Sequence, residues 1–200
     1  MKIRCNSVGQ KLAQFLVMGS VVISGLPGAL SAAERPGIGE KGSFGVGVGM
    51  GTTLYSESLE LPALTGTLRA GVTGKYYRKA DRPIQFQLSF GSMGNELPPH
   101  AVVGASQLFE RMVRDDGERR FKLHAGIGLQ FDKGMYEYGG WFLGPNLILG
   151  ASMHLKKPAV EVSTNLVAHT PLLFGLPEQA PDLVFGPFYF SPNLSVRKYF

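Results

Sequence analysis

Residues 121–131 read FKLHAGIGLQF, and this stretch decides the fold class. Its odd-numbered positions are all apolar, whereas its even-numbered positions hold Lys122, His124, Gln130 and two glycines. Alternation with a period of two places successive side chains on opposite faces of an extended strand. The stretch therefore predicts a β-strand with one apolar face and one polar, closely packed face.

Similar alternation recurs along most of the chain after residue 43. Glycine fills every odd position of residues 44–50, and residues 84–90 alternate between apolar and polar side chains without a break. Less regular versions occupy residues 64–78, 141–155, 159–169 and 188–200. Together these segments predict seven strands and an all-β fold.

Residues 101–114 are ambiguous. The apolar residues Leu108, Phe109, Met112 and Val113 follow the spacing of a helical stripe, which in isolation favours a helix. An antiparallel barrel with both chain ends on one side needs an even number of strands, however. We therefore expect this segment to be the eighth strand, with a helix as the alternative.

The connections between these segments alternate in length. Residues 79–82, 115–119 and 156–158 form short, charged connections, and the other four connections are longer. Short periplasmic turns and longer outer loops are typical of transmembrane β-barrels. The sequence thus predicts an eight-stranded antiparallel transmembrane β-barrel whose turn charges lie outside the hydrocarbon.

The first 33 residues have the pattern of an export signal. Three basic residues and no acidic residue accompany an uncharged apolar run over residues 12–26, and small residues stand at Ser31 and Ala33. We expect a secretory signal peptide over residues 1–33, cleaved after Ala33, and a barrel domain over residues 34–200. An uncleaved anchor is the alternative, although the run is short for a membrane-spanning helix.

Composition limits the remaining function classes. The formal charge of +5 falls to +2 once residues 1–33 are set aside, so the charge is poor evidence for an anionic partner, and we expect no nucleic-acid partner. The single cysteine, Cys5, allows no intramolecular disulfide, and the four histidines lack the spacing of metal ligands. We therefore expect no metal and no cofactor.

Three features favour a membrane barrel over a soluble one. The polar rows are rich in glycine and small residues, as the inside of a narrow barrel requires. The chain also ends within a strand, at Lys198-Tyr199-Phe200. Aromatic residues occur near strand ends, where interfacial girdles lie, at Tyr76, Tyr77, Trp141, Tyr189 and Tyr199. A secreted soluble barrel that binds a small apolar ligand is the alternative.

A signal peptide followed by a last alternating strand that ends in phenylalanine resembles the small bacterial outer-membrane β-barrel proteins, of the OmpA/OmpX eight-stranded type. Leu194 and Val196 fit the terminal pattern, and Lys198 interrupts it. The resemblance implies that the barrel-assembly machinery reads the strand ending at Phe200. It also implies a monomer in contact with outer-membrane lipid.

With the lipid-facing rows assigned, the polar rows face the barrel interior. They are expected to form a buried polar network, because an unpaired buried charge is costly. We expect Glu161 to pair with one or two of Arg69, Lys122 and Arg197. The candidate network residues are Arg69, Lys75, Lys122, His124, Glu161, His169 and Arg197.

A structural role, or binding of a surface partner through the outer loops 52–63 and 170–182, is the function that this pattern favours. The alternative is a lipid-modifying enzyme, an acyl hydrolase or transferase, that combines Glu161 with an inward serine and histidine. Its candidate serines and histidines are Ser89, Ser152, Ser163, His124, His154 and His169. Outer-membrane deacylases resemble one another in a His-x-Ser step, which is missing here. Prolines 145, 187 and 192 offer a lateral opening between strands as a further alternative.

Overall fold

The computed structural model describes residues 37–55, 65–92, 100–133, 140–175, 182–183 and 189–200 of the 200-residue chain. These residues form ten β-strands joined by turns. No helix in this part of the chain is long and apolar enough to cross a membrane. The expected leader over residues 1–33 and Pro187 lie outside the described residues.

Each strand runs antiparallel to its neighbours. In chain order the strands are β1 Phe44–Tyr55, β2 Thr65–Tyr77, β3 Pro83–Ser92, β4 His100–Asp115, β5 Arg119–Lys133, β6 Trp141–Leu155, β7 Val160–His169, β8 Leu173–Gly175, β9 Asp182–Leu183 and β10 Tyr189–Tyr199.

Eight of these strands close a barrel. They follow the order β5-β4-β3-β2-β1-β10-β7-β6, and pairing between β5 and β6 completes the ring. The remaining two strands are short: β8 pairs with the first residues of β6, and β9 pairs with β8. The eight-stranded antiparallel barrel predicted from the sequence is confirmed, and residues 173–175 of the loop 170–182 extend its wall along β6.

Strand β4 contains the ambiguous segment 101–114. Leu108 is fully buried inside the barrel, whereas its neighbour Phe109 is exposed on the outside, as alternation requires. The β4–β5 register shifts between Met112 and Arg114, so Val113 is an extra residue in a β-bulge. The apparent helical stripe therefore arises from one inward leucine and a bulge.

The outer wall is apolar and the interior is polar. Twenty-two large hydrophobic side chains are exposed on the described residues, including Leu123, Ile127 and Leu149 at 56%, 59% and 61%. Soluble proteins rarely expose a continuous apolar surface of this extent, whereas a transmembrane barrel presents such a band to lipid. Serine, asparagine, glutamine and charged side chains fill the inner rows instead.

Inward-facing glycines let the strands approach closely. A Cβ atom on Gly47 of β1 would collide with the backbone of Val196 and Arg197 in β10. A Cβ atom on Gly71 of β2 would collide with the backbone of Leu88 in β3. The excess of glycine in the sequence thus belongs partly to the inner wall of a narrow barrel.

Of the three prolines considered for a lateral opening, Pro145 and Pro192 lie within described strands. Next to Pro192, the paired positions of β1 and β10 pass from Gly51–Asn193 to Leu54–Phe190 and skip two residues of each strand. Proline has no N–H for a ladder hydrogen bond, so weaker pairing at this point is expected. Pro145 instead contributes its carbonyl oxygen, which accepts the N–H of Thr170 at 3.3 Å where β7 ends.

The short turns share one end of the barrel, which we call the turn end. In the β4–β5 turn, Asp115 accepts the N–H of Gly117 at 2.9 Å and pairs with Arg120 at 2.9 Å. The Gly117 N–H and the cations Arg120 and Lys156 hold the pKa of Asp115 below its ordinary value. Gly117 has a φ of 89°, so its left-handed backbone favours glycine.

The closing seam between β1 and β10 can be tested by cross-linking. Val48 and Val196 are paired Cα positions on the outer wall, so cysteines there lie at disulfide distance only in a closed barrel. In a Cys5→Ser background, we expect Val48→Cys/Val196→Cys to form an intramolecular disulfide on mild oxidation, seen as a gel shift that reductant reverses. Val48→Cys/Leu166→Cys, which joins β1 to the non-adjacent strand β7, is the control. Equal cross-linking in both variants contradicts the closed seam.

Candidate functional site

Five charged side chains from five strands meet inside the barrel near the turn end. Each stands at an inward position of its strand and is nearly inaccessible to solvent. They are Lys75 of β2, Glu110 of β4, Lys122 of β5, Glu161 of β7 and Arg197 of β10. We call this group the charged network.

The charges of the network alternate in sign across the lumen. Arg197 Nη1 lies 2.9 Å from Glu161 Oε1, which lies 3.0 Å from Lys75 Nζ. The same Lys75 ammonium also pairs with Glu110. Glu110 in turn pairs with Lys122 at 2.8 Å. One lysine therefore joins two carboxylates that come from strands on different sides of the barrel.

Neutral side chains supply further hydrogen bonds to the network. The Tyr77 hydroxyl donates to Glu110 at 2.9 Å, and the Tyr199 hydroxyl donates to Glu161. Arg197 donates to Thr73 Oγ1 at 2.9 Å, and also to Ser163 Oγ and Gln85 Oε1. Buried ion pairs repay their desolvation only when such additional bonds are present. The network meets this condition on both carboxylates.

The turn end is covered by the residues that precede β1. Ile38 is buried against Tyr77 and Tyr199. Gly39 has a φ of 80° and passes so close to the network that a Cβ there would come within 2.8 Å of Lys122 Nζ. The Gly42 N–H donates to the Tyr77 carbonyl at 2.8 Å and ties this segment to β2. Residues 37–43 therefore act as a cap on the network.

A second polar cluster lies toward the opposite end of the barrel, which carries the longer loops and which we call the loop end. His169 Nδ1 lies 3.0 Å from Asp132 Oδ2, and Gln130 Nε2 donates to the same oxygen at 3.0 Å. On β7 the apolar residue Val167 separates this cluster from the charged network, and it packs with Leu108 and Ile148 inside the barrel. The described interior thus holds a charged network near the turn end, an apolar cluster that includes Val167, and a polar cluster toward the loop end.

The predicted site residues lie in four places. Lys75, Lys122, Glu161 and Arg197 lie in the charged network, and His169 lies in the loop-end cluster. His124 Nε2 is bonded to Asn165 Oδ1. Arg69 is buried and lines a small interior cavity with Gln87 and Asn193. Glu161 contacts Arg197 from its expected set of partners, together with Lys75, and Lys122 contacts Glu110 instead.

Two inward acids were missed in the sequence. Glu110 lies in the segment with the helical stripe, where no alternation showed which way it points. Asp132 stands just past the alternating run 121–131, whereas β5 extends to Lys133. The partial signal was the excess of inward cations, since buried positive charge requires buried negative charge nearby.

The serine, histidine and acid considered for catalysis do come together, but not as a relay. Ser152 Oγ lies 3.1 Å from His154 Nε2, and Glu161 Oε2 lies 3.7 Å from that same nitrogen. In a catalytic triad the acid orients one ring nitrogen while the other activates the nucleophile. Ser163 Oγ is bonded to Ser195 and Arg197 instead.

Comparison with known proteins finds similarity at the level of structure. No protein-family model matches the sequence. No curated protein matches it either. The crystal structure of Neisserial surface protein A matches with a TM-score of 0.55 and 15% identity, covering 80% of this chain and 100% of that one. The chain has the fold of the small eight-stranded outer-membrane barrels.

Two further solved structures of this kind are similar. The N-terminal barrel domain of OprF from Pseudomonas aeruginosa gives a TM-score of 0.47 at 12% identity, covering 80% of this chain and 98% of that one. Ail, the attachment invasion locus protein of Yersinia pestis, gives 0.41 at 12% identity, covering 80% and 99%. At these identities the likeness concerns the fold.

The contribution of the shared cation to the stability of this eight-stranded barrel can be tested by Lys75→Met. Removing Lys75 leaves Glu110 and Glu161 buried with one fewer positive partner, so we expect a loss of about 3–5 kcal/mol in the free energy of unfolding. Urea unfolding of the barrel in lipid vesicles measures the change. Lys79→Met, in the exposed turn after β2, is the matched control and should alter stability by less than about 0.5 kcal/mol. Equal effects of the two substitutions would show that the network does not hold the barrel together.

Proposed function

We propose that the protein is exported with residues 1–33 as a cleaved leader and is inserted in the bacterial outer membrane as a monomeric, closed barrel. The charged network supports the closed barrel in this proposal, because it fills the lumen with side chains paired across it. An eight-stranded barrel is only wide enough for side chains to fill it. A lumen closed in this way suits a structural or surface-binding protein rather than a diffusion pore.

The assembly route follows from the last strand. Phe200 donates its backbone N–H to Phe44 O at 3.0 Å, which places the chain end beside the first strand of the barrel. The outward row of β10 carries the apolar residues Phe190, Leu194 and Val196, which are exposed on the outer wall. We propose that the barrel-assembly machinery reads this strand, with Phe200 as the terminal aromatic residue.

The long loops supply the proposed binding surface. The loop segments 56–64, 93–99, 134–139 and 176–181 carry five glutamates and no lysine or arginine in their sequence. An acidic surface at one end of a membrane barrel attracts cationic groups and repels anionic ones. The proposed surface partner is therefore a positively charged one, bound at the loop end.

Export and location are tested by fractionation. We expect the protein to sediment with outer membranes and to require detergent for release. Its intact mass should correspond to a chain that starts at Glu34. Substituting Ala33→Arg at the proposed cleavage position should leave a precursor longer by the leader. Recovery of the protein in the soluble periplasm would contradict membrane insertion and support the soluble-barrel alternative.

The closed lumen is tested by reconstitution. In planar bilayers and in liposome-swelling assays, we expect the purified barrel to pass ions and small sugars no faster than protein-free membranes do, because the charged network and its cap occupy the lumen. A general porin reconstituted at the same protein-to-lipid ratio is the positive control. Steady channel steps or solute-driven swelling would overturn the closed-barrel proposal.

A further inference from the structure

Charge is distributed unevenly along the barrel axis. The solvent-accessible residues of the turn end that the structure describes include eleven lysines and arginines against five acidic residues, a net charge of +6. The cations are Lys41, Arg78, Lys79, Arg82, Arg111, Arg114, Arg119, Arg120, Lys156, Lys157 and Lys198. A basic ring beside an apolar membrane-facing wall attracts anionic headgroups in the adjacent leaflet.

Two members of this ring, Arg111 and Arg114, lie on β4. Arg111 and Arg114 flank the bulge residue Val113 in β4, and both are exposed. Within the described part of the chain, neither is in an ion pair. The nearby carboxylate of Asp115 is already held by Arg120 at 2.9 Å and Lys156 at 3.6 Å. Both guanidinium groups therefore remain available to an external anion.

An apolar furrow on the outer wall begins beside these arginines. The register aligns Arg111 with Leu123, Leu123 with Ala151, and Ala151 with Thr164. Ala151 and Thr164 are small, whereas the next rows on either side hold Leu149 and Leu166, and Met153 and Val162. The result is a furrow of about 360 Å³ across β5, β6 and β7, with Val113 at its β4 end.

We propose that this furrow and the two arginines bind an anionic glycerophospholipid of the leaflet at the turn end, with its phosphate at Arg111 and Arg114 and one acyl chain along Ala151 and Thr164. The guanidinium group matches phosphate oxygens in a bidentate geometry. The furrow has the small side chains of Ala151 and Thr164 where the acyl chain packs, directly beside the two arginines. This inference rests on the proposed membrane insertion.

A contrasting groove supports the choice of site. A second apolar depression of about 570 Å³ lies on the wall around Val72, Phe86, Ala105 and Leu129. No lysine or arginine is among the residues that line it. On β4 the second groove is lined by residues 103–105, whereas Arg111 and Arg114 lie farther toward the turn end, beside the furrow. The second groove offers a matched control within the same chain.

The headgroup half of the site is tested by Arg111→Gln/Arg114→Gln. Native mass spectrometry of the purified barrel, released from nanodiscs with equal phosphatidylglycerol and phosphatidylcholine, should show retained phosphatidylglycerol for the unaltered protein. Each arginine near an anionic surface is worth about 1 kcal/mol, so the double variant should bind this lipid about thirtyfold more weakly. Arg78→Gln/Lys79→Gln removes the same charge two strands away, and this variant should still retain phosphatidylglycerol. Equal losses in both variants would overturn the specific site.

The acyl half is tested by Ala151→Leu, which fills the furrow without changing charge. We expect it to lower phosphatidylglycerol retention, while Ala105→Leu in the second groove leaves retention unchanged. Equal retention of phosphatidylcholine and phosphatidylglycerol by the unaltered protein would overturn headgroup recognition. In nanodiscs that also contain lipid A, retention of lipid A that depends on the two arginines would overturn the choice of a glycerophospholipid. Heat-modifiable migration of each variant on gels shows that it still folds, and fractionation tests membrane insertion separately.

Discussion

The shared ammonium group of Lys75 is the interaction on which the interior depends. It pairs with Glu110 and Glu161, which come from β4 and β7 and approach from different parts of the ring. Because neither carboxylate reaches water, each needs a fixed cation, and the alternating order of charges supplies one on each side. Arg197 meets Glu161, and Lys122 meets Glu110, between adjacent strands, whereas Lys75 of β2 reaches both carboxylates across the lumen of the closed barrel. It therefore couples local strand pairing to closure of the whole barrel.

Each strand follows one rule on its outer face, where side chains are apolar, and another on its inner face, where most are polar. Outside, exposed leucine, phenylalanine and valine side chains suit a surrounding hydrocarbon, and inside, buried polar groups are satisfied by one another. The two rules meet at the turn end, where the cap around Ile38 covers the network and the basic ring begins. This concentration of positive charge gives the two ends of the molecule different chemistry, and the proposals for loop binding and lipid binding both derive from that difference.

The strength of the sequence signal varied with position. Residues 121–131 and 84–90 alternate without exception, so their strands and faces could be assigned from the sequence, and the length of the connections supported an eighth strand. The segment around Glu110 has the apolar spacing of a helix although it is a strand, because a bulge at Val113 and the inward Leu108 produce the same spacing. Facing direction was undefined there, so the second carboxylate of the network could not be found.

Alternation and connection length by themselves determined the fold class, the strand number and the inward position of Lys75, Lys122, Glu161 and Arg197, because side-chain direction in a strand is a local property with a period of two. Only the tertiary structure decided which cation meets which acid. Partners such as Lys75 and Glu161 are separated by 86 residues along the chain, and their contact depends on barrel register and curvature, which no local pattern contains. The same reason places Arg111 beside the furrow formed by β5, β6 and β7.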